Sequence, residues 1–389
     1  MDYGEIMIST ISNLKVWMDG TGLKSGDPFA LQCSDVGIRI AQLLPPRLRG
    51  ALYIMDRKFP TIADKLFAHA VAPHSVALYL QATWLMYKAT GEPKWINRRM
   101  NWSKWLVNHA NREYNGYTWG IPFKWLMGTG VLAPENTPMS TVTPYCSDAF
   151  YMFHEYQIAT SGANFILKNL KRVYDDDDKL CLSYSPLDGF MIVNVQAYCA
   201  AQLYRAYVHT GFPHYRITAD RLINFVLSEQ NEDGSWYYWS KKAQSPVASS
   251  IDSLHQCYIM QGLYRCYLVN KNPQIKESVI SCMDYCNENL MVDDVIIKKF
   301  PNQPHARELI DNAEMVSTKD LLGDYVGARE LLTGVIDKFT IDNTPYFASW
   351  INPQNNIPYI RWGQSQLLYA MAQHVALQSG KITLQEIYL

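Results

Sequence analysis

The sequence predicts an all-α fold built as a closed double ring of six helical hairpins, an (α/α)6 toroid. Three observations carry this. Apolar helical stretches recur, each opening on polar or capping residues and closing on Gly or Asn. Polar residues at or near these openings, Asp148, Asn194, Asp252, Asp311 and Arg361, lie 46, 58, 59 and 50 residues apart. Such a period fits one helical hairpin with generous loops. Stretches apolar on most faces also alternate with amphipathic ones, as an inner and an outer ring require.

The elements follow in order. Met1 to Met18 forms a helix with Ile6, Ile8, Ile11, Leu14 and Val16 as its apolar set, and Gly20 and Gly22 break it. Phe29 to Leu44 reads as a second helix, ended by Pro45-Pro46. The first hairpin members are His74 to Gly91, Tyr145 to Gly162, Val193 to Gly211, Ile251 to Asn270, Asp311 to Gly323 and Ile360 to Gly380. Terminal glycines suit helix C-caps, where a left-handed residue is needed. The second members are Trp95 to Arg112, Ala163 to Val173, Tyr215 to Gln230, Pro273 to Leu290 and Tyr325 to Phe339. Only Ile382 to Leu389 follows the sixth first member, so the N-terminal helix is expected to supply the missing outer helix of a single domain. A helical solenoid is the rival arrangement; six copies suffice to close a ring.

Composition narrows the function. Hydrophobic residues make up 48% and charged residues 18% of 389, enough for a large core. A formal net charge of −1 gives no electrostatic case for nucleic acid. No stretch is long and apolar enough to span a bilayer. The eight cysteines include no CxxC pair and read as reduced core residues. Met1 to Trp17 carries Asp2 and Glu5 and lacks an apolar core of signal length, so a cytoplasmic location is expected, with the inner face of the membrane left open. With no P-loop, no dinucleotide-binding glycine turn and no HExxH, no cofactor or metal is expected. Asp175 to Asp178 reads as a solvated acidic loop.

The stretch Gln230 to Tyr267 carries the chemistry. It turns at Asp233-Gly234, presents Trp236, Tyr237, Tyr238 and Trp239, and opens a helix that Ser249 or Ser250 could cap. Asp252 falls near the positive end of that helix, and His255, three residues on, shares its face. A carboxylate, an imidazole and four aromatic rings meet at one helix mouth, which suits a sugar.

Several motifs together resemble the six-hairpin toroid carbohydrate-active proteins. They are Trp119-Gly-Ile-Pro-Phe-Lys-Trp125, Thr137-Pro138 with Val142-Thr143, Ser183-Tyr184, Val193-Asn194, Gln230-Asn-Glu-Asp-Gly-Ser-Trp236, Ile251-Asp252-Ser-Leu-His255, Ile310-Asp311 and Arg361-Trp362-Gly-Gln364. The chain looks similar to bacterial polysaccharide-biosynthesis proteins of the VpsJ-like type, related in fold to glucuronyl C5-epimerases and unsaturated glucuronyl hydrolases. The resemblance runs from about Asp27 to the C-terminus. It implies acid/base chemistry on an acidic sugar oligosaccharide, by epimerisation, elimination or hydrolysis. A peripheral association with a polysaccharide-assembly complex is compatible with it.

In a toroid the N-termini of the inner helices crowd one end. That places Asp148, Asn194, Asp252, His255, Asp311 and Arg361 as neighbours, with Trp119, Lys124, Tyr145, Trp236 and Tyr238 walling the cleft. Asp252 is the expected acid/base, its pKa raised by nearby aromatics; it equally suits a helix cap. His255 relays the proton, holds a sugar hydroxyl, or is a satisfied core histidine. Asp148 is the second carboxylate of a glycosidase-like pair or a structural acid, and Asp311 has the same two readings. Arg361 with Trp362 suggests a clamp for a uronate carboxylate or a phosphate, or a salt bridge to Asp311 or Asp252. Tyr145, Tyr184 and Tyr359 are unranked phenolic acids. The rival functions are a non-catalytic glycan-binding or assembly protein and a terpenoid-cyclase-like toroid, for which an acid run in a loop is poor support.

Overall fold

The computed structural model describes residues 3–45, 48–66, 69–127, 130–243, 250–292, 296–303, 305–340 and 356–389. The chain is an (α/α)6 toroid with a few two-stranded sheets. It opens with helix α1 (Tyr3–Thr21). Four short helices follow, α2 (Ala30–Cys33), α3 (Asp35–Leu43), α4 (Gly50–Lys58) and α5 (Pro60–Leu66). Then come the pairs α6 (Pro73–Thr90) and α7 (Arg99–Asn108), α8 (Thr143–Met152) and α9 (Tyr156–Asn169), and α10 (Val193–Thr210) and α11 (Pro213–Ser228). They continue with α12 (Ser253–Asn270) and α13 (Pro273–Asn289), then α14 (Leu309–Leu322) and α15 (Tyr325–Phe339). Helices α16 (Gln364–Gln378) and α17 (Leu384–Tyr388) end the chain.

Helices α6, α8, α10, α12, α14 and α16 form the inner ring; each packs on the next, and α16 closes back on α6. Helices α7, α9, α11, α13 and α15 lie outside, and α1 packs against α16. Burial follows the apolar pattern: every residue of α10 from Val193 to Ala206 is buried, whereas α11 buries one stripe, Tyr215, Ala219, Leu222, Ile223, Phe225 and Val226.

A repeated clamp sets the register of the hairpins. Near the start of an inner helix, one polar side chain bonds both backbone groups of a residue in the preceding extended segment. Gln196 accepts from Leu182 N at 2.8 Å and donates to Leu182 O at 2.9 Å. Gln256 does the same to Trp236, both at 2.8 Å. Asn312 clamps Ile297, and the Thr143 hydroxyl clamps Trp119. Each clamp satisfies a buried amide and carbonyl that would otherwise cost free energy.

Several boundaries differ from expectation. Helix α1 runs through Gly20 to Thr21 and buries Met7, Ile11, Leu14 and Met18, leaving Ile6 and Val16 exposed. Phe29 to Leu44 is broken at Ser34, whose side chain accepts from Gly37 N and caps α3. Tyr145 to Gly162 is split as well: the inner helix ends at Met152, His154 adopts φ 60°, and α9 begins at Tyr156. No Gly or Pro marks that turn.

Candidate functional site

The clamp explains which side chains converge. Two residues beyond each clamping side chain stand Tyr145, Tyr198, Tyr258 and Glu314, on α8, α10, α12 and α14. Equal register brings them into one layer. Tyr145 and Tyr198 share a hydrogen bond of 2.6 Å, and the Tyr198 and Tyr258 rings meet edge-on at 5.1 Å. Glu314 closes the layer, accepting from Gln261 Nε2 at 2.9 Å. On the extended side, two residues beyond Leu182, Trp236 and Ile297 stand Tyr184, Tyr238 and Lys299, since side chains repeat their face every second residue. These form the rim above.

Asp252 is the N-cap of α12, accepting from His255 N at 3.1 Å. Asp252 is thus the cap that the sequence assigned to Ser249 or Ser250; Ser249 lies outside the described residues. The His255 Nδ1 sits 2.7 and 2.6 Å from the two carboxylate oxygens. With the Asp252 carboxylate ionised, Nδ1 is the donor of this bond; in a neutral ring Nε2 is then the proton acceptor. The His255 ring lies 4.3 Å from Tyr238 and 6.1 Å from Tyr258, and 23% of its side chain stays exposed. Burial pushes the Asp252 carboxyl up, but His255 first and Lys299 after it hold it at about 2. The expected rise does not occur, because the paired imidazole outweighs the lost water.

Lys299 reaches Glu308 at 2.9 Å and stands 3.6 Å from Asp311 Oδ2. Burial lifts the Asp311 carboxyl to about 7 despite Lys299, with Glu308 adding to the rise. Glu314 is also lifted to about 7, by burial alone. One ionised carboxylate and two carboxyls that titrate near neutrality therefore stand in neighbouring layers, an arrangement that separates proton acceptors from donors.

At the same end of the ring are buried polar atoms with no hydrogen-bond partner among the described residues. They include His74 Nε2 on α6, Asn194 Oδ1 on α10, both carboxyl oxygens of Asp311 on α14, and both amide atoms of Gln364 on α16. Each residue lies in the first turn of an inner helix. His74 packs on Tyr145 at 4.2 Å; burial, with Arg361 nearby, lowers its pKa to about 3.

The remaining sequence-predicted residues divide. Arg361 is on this rim but grips Asp27, at 2.5 and 2.9 Å, rather than Asp311 or Asp252. Trp362 packs edge-on against Phe29 at 5.3 Å. Asp148 is not brought to Asp252. It is buried lower in the ring, bonded by Arg205 and Arg265 at 2.9 Å and Gln202 at 2.5 Å. Arg265 is more than three turns beyond Asp252 on α12, about 20 Å along the axis at ~1.5 Å per residue. Trp119 and Trp236 do not wall a cleft. They are the clamped residues, fully buried, each indole donating to an outer-helix carbonyl, Leu106 O and Val226 O, at 2.9 Å. Lys124 is on the surface, paired with Asp35 at 2.8 Å. Sequence reading missed Tyr198, Tyr258, Lys299, Glu314 and His74; for the first four the signal was their fixed offset from the clamp, and His74 had only its place in the first turn of α6.

Solved structures share this fold. An unsaturated glucuronyl hydrolase from Bacillus sp. GL1 superposes over 97% of this chain and 97% of its own, with TM-score 0.64 and 12% identity. One from Streptococcus agalactiae covers 98% and 93%, with TM-score 0.65 and 11% identity. A D-mannose isomerase covers 79% and 87%, with TM-score 0.57 and 13% identity. No protein-family model matches the sequence, and no curated protein matches it. At these identities the likeness is one of fold.

Proposed function

We propose that this chain is a carbohydrate-active enzyme that performs acid/base chemistry on a sugar bound at the N-terminal mouth of the inner ring. The observation that carries the reading is the Asp252–His255 pair beside buried polar atoms of His74, Asn194 and Gln364 that lack partners. A polyhydroxylated ligand supplies such partners, and half-buried tyrosines offer faces for its ring. In this reading His255 Nε2 takes a proton, Asp252 orients the ring and balances its charge, and Asp311 is the neutral carboxyl that donates. The glucuronyl hydrolases among the similar structures support an acidic sugar. Its carboxylate would compete for Lys299 and Arg361 with Asp311 and Asp27. The VpsJ-like motifs support a place in bacterial polysaccharide biosynthesis or modification. Eight free, buried cysteines support a reducing compartment, the cytoplasm.

The test is turnover of uronic-acid oligosaccharides by the wild type, Asp252→Asn and His255→Ala, with binding measured alongside. We expect turnover to fall roughly 10²- to 10⁴-fold in both variants while binding changes little. Unchanged turnover in both would remove the proposal. Wild-type binding without any turnover would make the protein a glycan-binding module.

A further inference from the structure

The excursion between α1 and α6 turns an unusual surface outward. Its ends are pinned by strands β1 (Lys24–Ser25) and β2 (Ala70–Val71). Helices α3 and α4 rest on a small core of their own, Ile38, Ala41, Leu52 and Leu126, separate from the main one, and α5 packs against α4 and α2. Each helix then shows solvent a second apolar stripe. On α3 it is Val36, Ile40 and Leu43, spaced four and three residues apart, with Leu43 87% exposed. On α4 it is Ile54 and Met55, followed by Phe59. On α5 it is Ile62 and Leu66, with Leu66 72% exposed. A soluble monomer rarely gathers so many large apolar side chains on one short stretch.

Charge indicates what covers them. From Asp35 to Leu66, the span of α3 to α5, the sequence holds six basic and three acidic residues, in a chain of net charge −1. Arg39, Lys58 and Lys65 are exposed among the apolar stripes. The acid Asp56 is turned inward, accepting from Leu31 N at 2.8 Å and Gln32 N at 3.1 Å. Apolar side chains interleaved with cations are what adsorb to anionic lipid: the former enter the headgroup boundary, and the latter pair with phosphates.

We propose that the outer face of α3–α5 docks this protein on an anionic lipid surface. The same excursion borders the mouth. Asp27, just before α2, holds Arg361, and Phe29 packs on Trp362. Docking therefore brings the mouth to the bilayer, where a lipid-linked saccharide would be presented.

The test is sedimentation of the full chain with phosphatidylcholine vesicles, with and without phosphatidylglycerol. We expect binding only to the anionic vesicles, weakened by salt. Leu43→Asp with Leu66→Asp should abolish it, and Lys58→Glu with Lys65→Glu should weaken it roughly tenfold or more. Val326→Asp, at an exposed apolar site on α15, should leave it unchanged. These side chains are exposed, so each variant should fold, which circular dichroism checks. Equal binding to neutral vesicles, or none to either, overturns the proposal. So does a wild-type dimer, seen by sedimentation velocity, that Leu43→Asp with Leu66→Asp turns into monomer, because the face would then be a protein contact.

Discussion

Glu314 shows how much one buried side chain can tie this fold to pH. Its carboxyl is lifted from 4.5 to about 7 by burial, with Gln261 as its hydrogen-bond partner. Below the unfolded value both states carry the proton, and burial costs no charge. As pH rises through about 7, the unfolded chain has already ionised and the folded state must follow, so stability is lost. The full difference is about 3 kcal/mol. Glu314→Gln removes it. The variant's Tm should gain on the wild type between about pH 5 and pH 8, and parallel Tm profiles would show that Glu314 does not carry the effect. Asp252 behaves oppositely because His255 sits on it. That pair was legible in the sequence, since acid and histidine three apart at a helix start face one another. Asp148 misled because a helical acid reads the same whether it faces a cleft or two arginines from other hairpins. Nothing local to Asp148 announces Arg205 or Arg265.

At the scale of elements, the contact between α10 and α12 rests on a missing side chain. A Cβ at Gly262 would lie 2.6 to 2.8 Å from the carbonyl carbon, oxygen and Cβ of Ala197. Two effects oppose each other in Gly262→Ala. Helix propensity favours alanine by about 1 kcal/mol, while forcing the helices apart costs about 1–3 kcal/mol. Because the atoms met include backbone, the second should win. The urea midpoint should fall, and a rise would mean that the helices separate freely. Element limits were readable where chemistry marks them. Tyr325 to Phe339 matches α15 end for end, and the left-handed Gly91, Gly211 and Gly323 cap α6, α10 and α14. They were unreadable where tertiary packing decides. The turn at His154 has no breaker of its own, and Trp119 and Trp236 look the same in sequence whether stacked on sugar or clamped in the core.

The whole molecule differs from a row of hairpins in having no terminal repeat. Helix α16 packs on both α14 and α6, so the last inner helix completes the burial of the first. Across that seam, Lys381 Nζ donates to Ala89 O at 2.6 Å, and α1 covers α16 from outside. In an open array, stability is roughly a sum of units and nearest-neighbour contacts, and removing an end unit spares the rest. In a ring, removing residues 360–389 exposes faces of α6, α14 and α1 together, and with them the buried His374–Asp320 pair loses one partner. An unpaired buried acid and three bared apolar faces exceed the ~5–15 kcal/mol that holds a typical chain folded. We therefore expect the truncated chain to lose protection of backbone amides in all hairpins, α10 and α12 included, in native-state hydrogen exchange. If α8 to α13 kept their protection while only the flanking helices frayed, the hairpins would be behaving as a stack, and the ring would be a shape without a thermodynamic role.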